Sequence, residues 1–268
     1  MSTSGLLNGT LNNENFAQFF ESWIALMDRD LQTLAAAAAA PRPITADDEA
    51  AEERRLRQLV ADVVGHYEHY YRRKAAAARR DVLPMFSPTW TSTTENLFIW
   101  IAGWRPTVAV QILYSKCGIQ YETQIPPDVV DVDAEQLRRI DELHRRIVQR
   151  EREVSEEEAA AQEKVANSEM VEISHAMGEM AAGEGKEMME AEMKGKRDEM
   201  EEVMEMADAV RMETLKGLVE ILRPKQAVQF LVAAAELLLR VHEFGRSKDE
   251  ATMKAAGEAA PAPAPATL

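Results

Sequence analysis

Cys117 is the only cysteine in the 268 residues. That excludes an intramolecular disulfide and a cysteine-based zinc site, and leaves a small buried thiol in a reducing compartment as the simplest reading. Long apolar runs are missing too, for none approaches the ~18 residues of a membrane span. The first residues, MSTSGLLNGTLNNEN, lack the basic start and apolar run of a secretory signal. The 12 glycines never form a phosphate-binding loop behind a strand, and strand alternation persists nowhere. Five dispersed histidines and one cysteine make no recognisable nucleophile–base pair, so no catalysis is expected. His66 and His69 share a helix face but have no further metal ligands, and read as part of a packed aromatic patch. Positive charge is in deficit: 31 Lys and Arg against 46 Asp and Glu give a net charge of −15, which argues against a nucleic-acid surface.

What is present is helical. Hydrophobic residues make up 46% of the chain, enough for a sizeable core. Phe16, Phe19, Phe20, Trp23, Met27, Leu31 and Leu34 form one apolar stripe of a first helix, opened near Asn12 or Asn13 and stopped by Pro41 and Pro43. Thr45 caps a second helix whose end is basic: Arg72, Arg73, Lys74, Arg79 and Arg80. Between Asp81 and Ser115 lies a nearly uncharged stretch with Trp90, Trp100 and Trp104, expected to be the core that the other elements cover. It predicts a short helix over 92–102, a stop at Gly103, and a second helix from Pro106 to about Gly118. Ile125-Pro126-Pro127 reads as a linker. A long helix follows from Asp133 to Ser168 and beyond, with a break near Gly183–Gly185. Arg223-Pro224 punctuates the next helix, and Gln226–Phe244 forms the last, stopped at Gly245. The fold class is all-α: a single bundle of long antiparallel helices with short aromatic-rich helices. Residues 1–12 are expected to be a disordered leader, 13–245 the helical domain, and 246–268 a disordered Ala/Pro tail.

Charge is uneven along the chain. From Glu151 to Met206 there are 18 acids and 6 bases, a net of −12, which leaves −3 for the rest. Ten of the 14 methionines lie between Met170 and Met212, filling an irregular core or lining an adaptable binding groove.

Several segments together resemble the plant DOG1 (Delay of Germination) family, whose domain also forms the C-terminal part of TGA-type bZIP factors. They are Phe19-Phe20-Glu21-Ser22-Trp23; His66-Tyr67 with Tyr70-Tyr71 and Lys74; Asp81-Val82, Trp90 and Glu95; and above all Trp100-Ile101-Ala102-Gly103-Trp104-Arg105-Pro106. Leu137-Arg138-Arg139-Ile140 through Gln162-Glu163 and Ala166 also looks like the family, and the likeness runs from about Asn13 to Phe244. The resemblance implies a stand-alone, non-enzymatic regulatory protein of the nucleus and cytoplasm. Its partners would be type 2C protein phosphatases or transcription factors, with a homodimer as one arrangement. Its role would be in seed dormancy and germination, with pollen aperture formation as the alternative branch. Transcriptional regulation is implied too, but no basic helix precedes the domain, so contact with DNA is expected to be indirect. Dormancy-type members associate with haem, which makes His242 the candidate axial ligand, although no second histidine lies within a helical turn of it.

Three surfaces are therefore candidates for partner binding: Trp104 and Arg105; the basic end of the second helix at Arg72, Arg73 and Lys74; and the acidic arm with Glu199, Glu201 and Glu202. The alternatives are a haem or apolar-ligand sensor and a DNA-binding regulator.

Overall fold

The structure, a computed structural model, describes residues 16–41, 43–117, 130–177 and 184–258. Among these there are nine α-helices and no strand: α1 (Phe16–Ala38), α2 (Ala46–Ala78), α3 (Leu83–Phe86), α4 (Thr93–Asn96), α5 (Pro106–Lys116), α6 (Ala134–Glu163), α7 (Ser168–Ala176), α8 (Glu184–Ile221) and α9 (Pro224–Glu258). The chain is all-α. Among the described residues no helix is long and apolar enough to cross a membrane.

Helix starts follow local chemistry. Thr45 accepts the Asp48 amide at 3.1 Å, and Asp47, Asp48 and Glu49 sit in the first turn of α2. Asp133 and Gln136 form a capping box at α6. Pro106 occupies the first turn of α5, and Pro224 opens α9 after a gap of two residues, Leu222 and Arg223, beyond the end of α8. The expected start near Asn12, the linker at Ile125–Pro127 and the Gly183 part of the break expected at Gly183–Gly185 lie outside the described residues, while Gly185 lies within α8.

Three expectations change. The helix foreseen over 92–102 is only α4, after which Ile101 and Ala102 take positive φ, 43° and 57°. The long helix from Asp133 breaks at a 3-10 turn, Lys164–Ala166, where Asn167 accepts the Met170 amide at 2.8 Å and restarts the chain as α7. Asparagine caps a new helix better than it continues an old one. Gly245 does not stop the last helix, which runs on to Glu258 and takes in residues 246–258 of the predicted tail.

The core is not centred on the tryptophans. Val110, Leu113, Ile140, Ile147, Leu218, Val228 and Phe230 are wholly buried where α5 lies against α6, α8 and α9. Trp100 and Trp104 are only half-buried and pack on the edge of this cluster. Tryptophan is large and polar at one end, so it suits such an edge. A second aromatic cluster joins the chain's two ends: Phe20, Trp23 and Met27 of α1 pack with Leu238 and Leu239 of α9.

Candidate functional site

The sequence Trp100-Ile101-Ala102-Gly103-Trp104-Arg105-Pro106 folds as a tight turn leading into α5. Trp100 N–H donates to Gly103 O at 2.7 Å, and Gly103 N–H returns to Trp100 O at 3.2 Å. Positive φ at both central residues is the sign pattern of a type I′ turn, which favours Asn and Gly. Ile101 is β-branched and pays a steric cost there, of order 1–3 kcal/mol.

Arg211 of α8 explains why the turn holds. Its guanidinium is fully buried, and it donates through Nε to Trp104 O at 2.7 Å and through one Nη to Ile101 O at 2.8 Å and to Trp100 O. The other Nη meets Asp208 at 2.5 Å. Gly103 makes the approach possible, since a Cβ there would stand 2.9 Å from Arg211 Cζ. Asp208 also receives Lys74 Nζ at 2.9 Å from α2, so one carboxylate serves two buried cations. Burial pushes the Lys74 ammonium down to about 8, even though Asp208 pulls the other way.

Arg105 faces a second buried carboxylate. Glu151 of α6, 2% exposed, accepts Arg105 Nε at 2.7 Å and the Thr107 amide at 2.6 Å. It thus caps α5 from another helix. Trp100 Nε1 donates to Ser155 at 3.0 Å, and the guanidinium carbons of Arg105 and Arg211 lie 5.8 and 5.3 Å from the Trp100 ring. The turn is therefore tied to α6 and α8 together. Trp104 contributes its carbonyl to that tie, and Arg105 has its partner inside the chain.

Two residues just before the turn point outward: Leu97 is 80% exposed and Phe98 68%. Both sides of this pair are anchored. On one side is the turn. On the other, α4 carries a Ser92–Glu95 capping box and docks on α9, where Glu95 meets His242 Nδ1 at 2.9 Å and Thr93 bonds Asp249. Gly245 lets the two elements touch, because a Cβ there would lie 2.7 Å from Ser92 Cβ. Burial raises the Glu95 carboxyl, but hydrogen bonds from His242 and Ser92 outweigh it and leave the group below the usual range.

His242 itself is 6% exposed, between Glu95 and the Phe20 ring at 5.9 Å. A macrocycle against it would have to lift α4 from α9, so the residues present do not fit haem there. His66 meets Asp30 at 2.7 Å and His69 packs edge-on to Phe19, so the two histidines share no ligand position. Among the described residues no group of three His, Cys, Asp or Glu side chains could hold a metal ion. Burial pushes the Cys117 thiol up to about 11, which keeps it protonated.

The basic end of α2 and the acidic segment meet each other. Arg79 pairs with Glu205 at 3.1 Å and Glu201 at 3.7 Å, and Lys74 with Asp208 as above. Arg72 lies 3.8 Å from Glu68, and Arg73 lies over the Phe19 ring. Glu199 pairs with Lys164 at 3.0 Å, while Glu202 is exposed. Thus Arg79 and Lys74 near the end of α2 are answered by acids of α8, whereas of the foreseen candidates Arg72, Arg73 and Glu199 find their neighbours elsewhere and only Glu201 faces α2. Sequence reading passed over Asp208, Arg211, Glu151, Leu97 and Phe98. One signal was there for Arg211: four residues after Ala207, it falls on the buried stripe of α8.

Residues 30–115 match the DOG1 family, described as seed dormancy control. Curated relatives from Arabidopsis thaliana cover more of the chain. Protein DOG1-like 3 is 31% identical over 64% of this chain and 65% of its own length, so this match spans about two thirds of that relative. Protein DOG1-like 4 is 30% identical over 65% of this chain and 71% of its own length, and Protein ZW2 is 29% identical over 88% and 98%. The residues matched by the family include Lys74 and the whole turn that Arg211 holds. The chain belongs to the DOG1-like family.

Proposed function

We propose that this chain is a non-catalytic regulatory protein of plant development that works by holding another protein, in control of the dormancy type that describes its family. The observation that carries this reading is the Leu97–Phe98 pair. Two large apolar side chains stand in solvent on a loop fixed at both ends, by α4 on α9 and by the turn on α8. An apolar anchor held rigid in advance loses little freedom on binding, which is the property of an interface hot spot. The buried charges support the same reading: Lys74, Asp208, Arg211, Glu151 and His242 are all engaged within the chain rather than aimed at a substrate. Type 2C protein phosphatases and transcription factors, the partners the family resemblance implies, are the first to test, in nucleus and cytoplasm alike.

The test is the double substitution Leu97→Ser/Phe98→Ser. Both sites are exposed, so stability should change by no more than about 0.5 kcal/mol per site. Proximity labelling in the native tissue should then lose the partner that the unaltered chain retains. An unchanged partner set, with the fold intact, overturns the reading.

A further inference from the structure

We propose that the Trp100–Gly103 turn is a strained element latched by Arg211, and that a shift of α8 releases it and with it the Leu97–Phe98 loop. The regulatory part of this rests on the interaction surface proposed above, whereas the latch stands on geometry alone.

Two consecutive non-glycine residues with positive φ do not hold themselves. Ile101 and Ala102 have φ of 43° and 57°, in a region that side chains with a Cβ resist. The two cross-turn hydrogen bonds are local and would also form in relaxed turns. What selects the left-handed form is the guanidinium, which takes three carbonyls, those of Trp100, Ile101 and Trp104, at one time. In this bend all three carbonyls converge on the one guanidinium.

The guanidinium rides on another element. α8 extends from Glu184, in the acidic hairpin with α6 and α7, to Ile221 in the core, so Arg211 links the hairpin to the turn. Hydrogen bonds of 2.7–2.8 Å do not survive a displacement of about 1 Å. A partner that moves α8 by that much therefore withdraws the latch, and the turn relaxes. Asp208 moves on the same helix and so does not hold Arg211 back; what such a shift must overcome is the grip of α2, through Lys74 on Asp208, Arg79 on Glu205 and Glu68 on Lys216, and that of α6, through Arg146 on Glu213.

Amide hydrogen exchange on the purified full chain tests this without any partner. Ala102→Gly should slow exchange at Trp100 and Gly103 by roughly fivefold, because glycine takes positive φ without strain. Arg211→Lys keeps the charge but cannot span three carbonyls. It should speed exchange at those two amides by about tenfold while Leu113 and Ile147 remain protected. Adding Ala102→Gly to Arg211→Lys should bring the two amides back toward their original rates. Unchanged rates in Ala102→Gly mean that the turn stores no strain, and overturn the latch. So does an Arg211→Lys chain in which Leu113 and Ile147 exchange together with the turn. If exchange follows the expected pattern but partner capture is the same in every variant, the latch stands and the Leu97–Phe98 surface fails.

Discussion

Asp208 shows how much one side chain can decide. It is the carboxylate between two buried cations, so Asp208→Ala strands both Lys74 and Arg211. Removing one partner of a buried ion pair costs about 3–5 kcal/mol, and urea denaturation should show a loss of that size. Lys74→Met is different, because Asp208 keeps Arg211 and the methionine fills the vacated apolar space. Its cost should stay below about 1.5 kcal/mol. Equal losses in the two variants mean that Lys74, rather than Asp208, is the centre of the cluster. His66 gives a pH dependence. Its hydrogen bond to Asp30 raises its folded pKa despite burial, so its contribution is complete below the unfolded value of about 6.5 and disappears as pH rises through the folded one. His66→Gln should therefore destabilise the chain more at pH 5.5 than at pH 8.5. Burial, with the Arg72 and Arg73 charges after it, lowers the pKa of His69 in both chains; the His66 charge, the smallest of the causes, is lost in the variant and trims the expected difference without reversing it. Denaturation midpoints at the two pH values check this, and an equal loss at both removes Asp30 as the cause.

The α4–α9 junction is the element on which most depends. Gly245→Val places side-chain atoms where Ser92 and Thr94 now sit. It should detach α4 and cost about 1–3 kcal/mol, as overpacking does, while α9 keeps its helix. A thermal melt with no loss of stability means that the junction yields. The same packing around His242 implies that added haem should give no Soret band that His242→Ala abolishes. Much of this level was legible in the sequence. Thr45, Asp133, Pro106 and Pro224 announce helix starts through neighbours within four residues. Gly245 and Gly103 do not, because their reasons are Ser92 and Arg211, more than a hundred residues away in the chain. Gly245 consequently reads as a stop although it is a contact, and Ile101 reads as helical although it is left-handed. The basic end of α2 looks like compensation of a helix dipole. Nothing local reveals that Arg79 and Lys74 answer acids on α8. Leu97 and Phe98 read as core for the same reason: composition shows that a stretch is apolar, not which of its residues face water.

At the scale of the whole molecule, the net charge of −15 acts against compactness. The pairs between Arg79 and Glu201 or Glu205, and between Lys164 and Glu199, are exposed, and such pairs contribute about 0–1 kcal/mol each. Screening should therefore relieve more repulsion than attraction, and the melting temperature should rise between about 10 and 200 mM salt. A fall identifies those pairs as stronger than exposed pairs ordinarily are. The aromatic face of α1 has a different consequence, one that concerns synthesis. Phe20 and Trp23 are covered by Leu238 and Leu239, about 220 residues further along the chain. A ribosome adding ~5–20 residues per second needs roughly 10–40 seconds to make that cover. Tyr67 and Tyr70 of α2 reach Trp23 much earlier, so for this interval the first helix emerges with its aromatic face only partly covered, and the side of Phe20 and Trp23 that meets α9 stays open to other nascent chains until the last helix arrives.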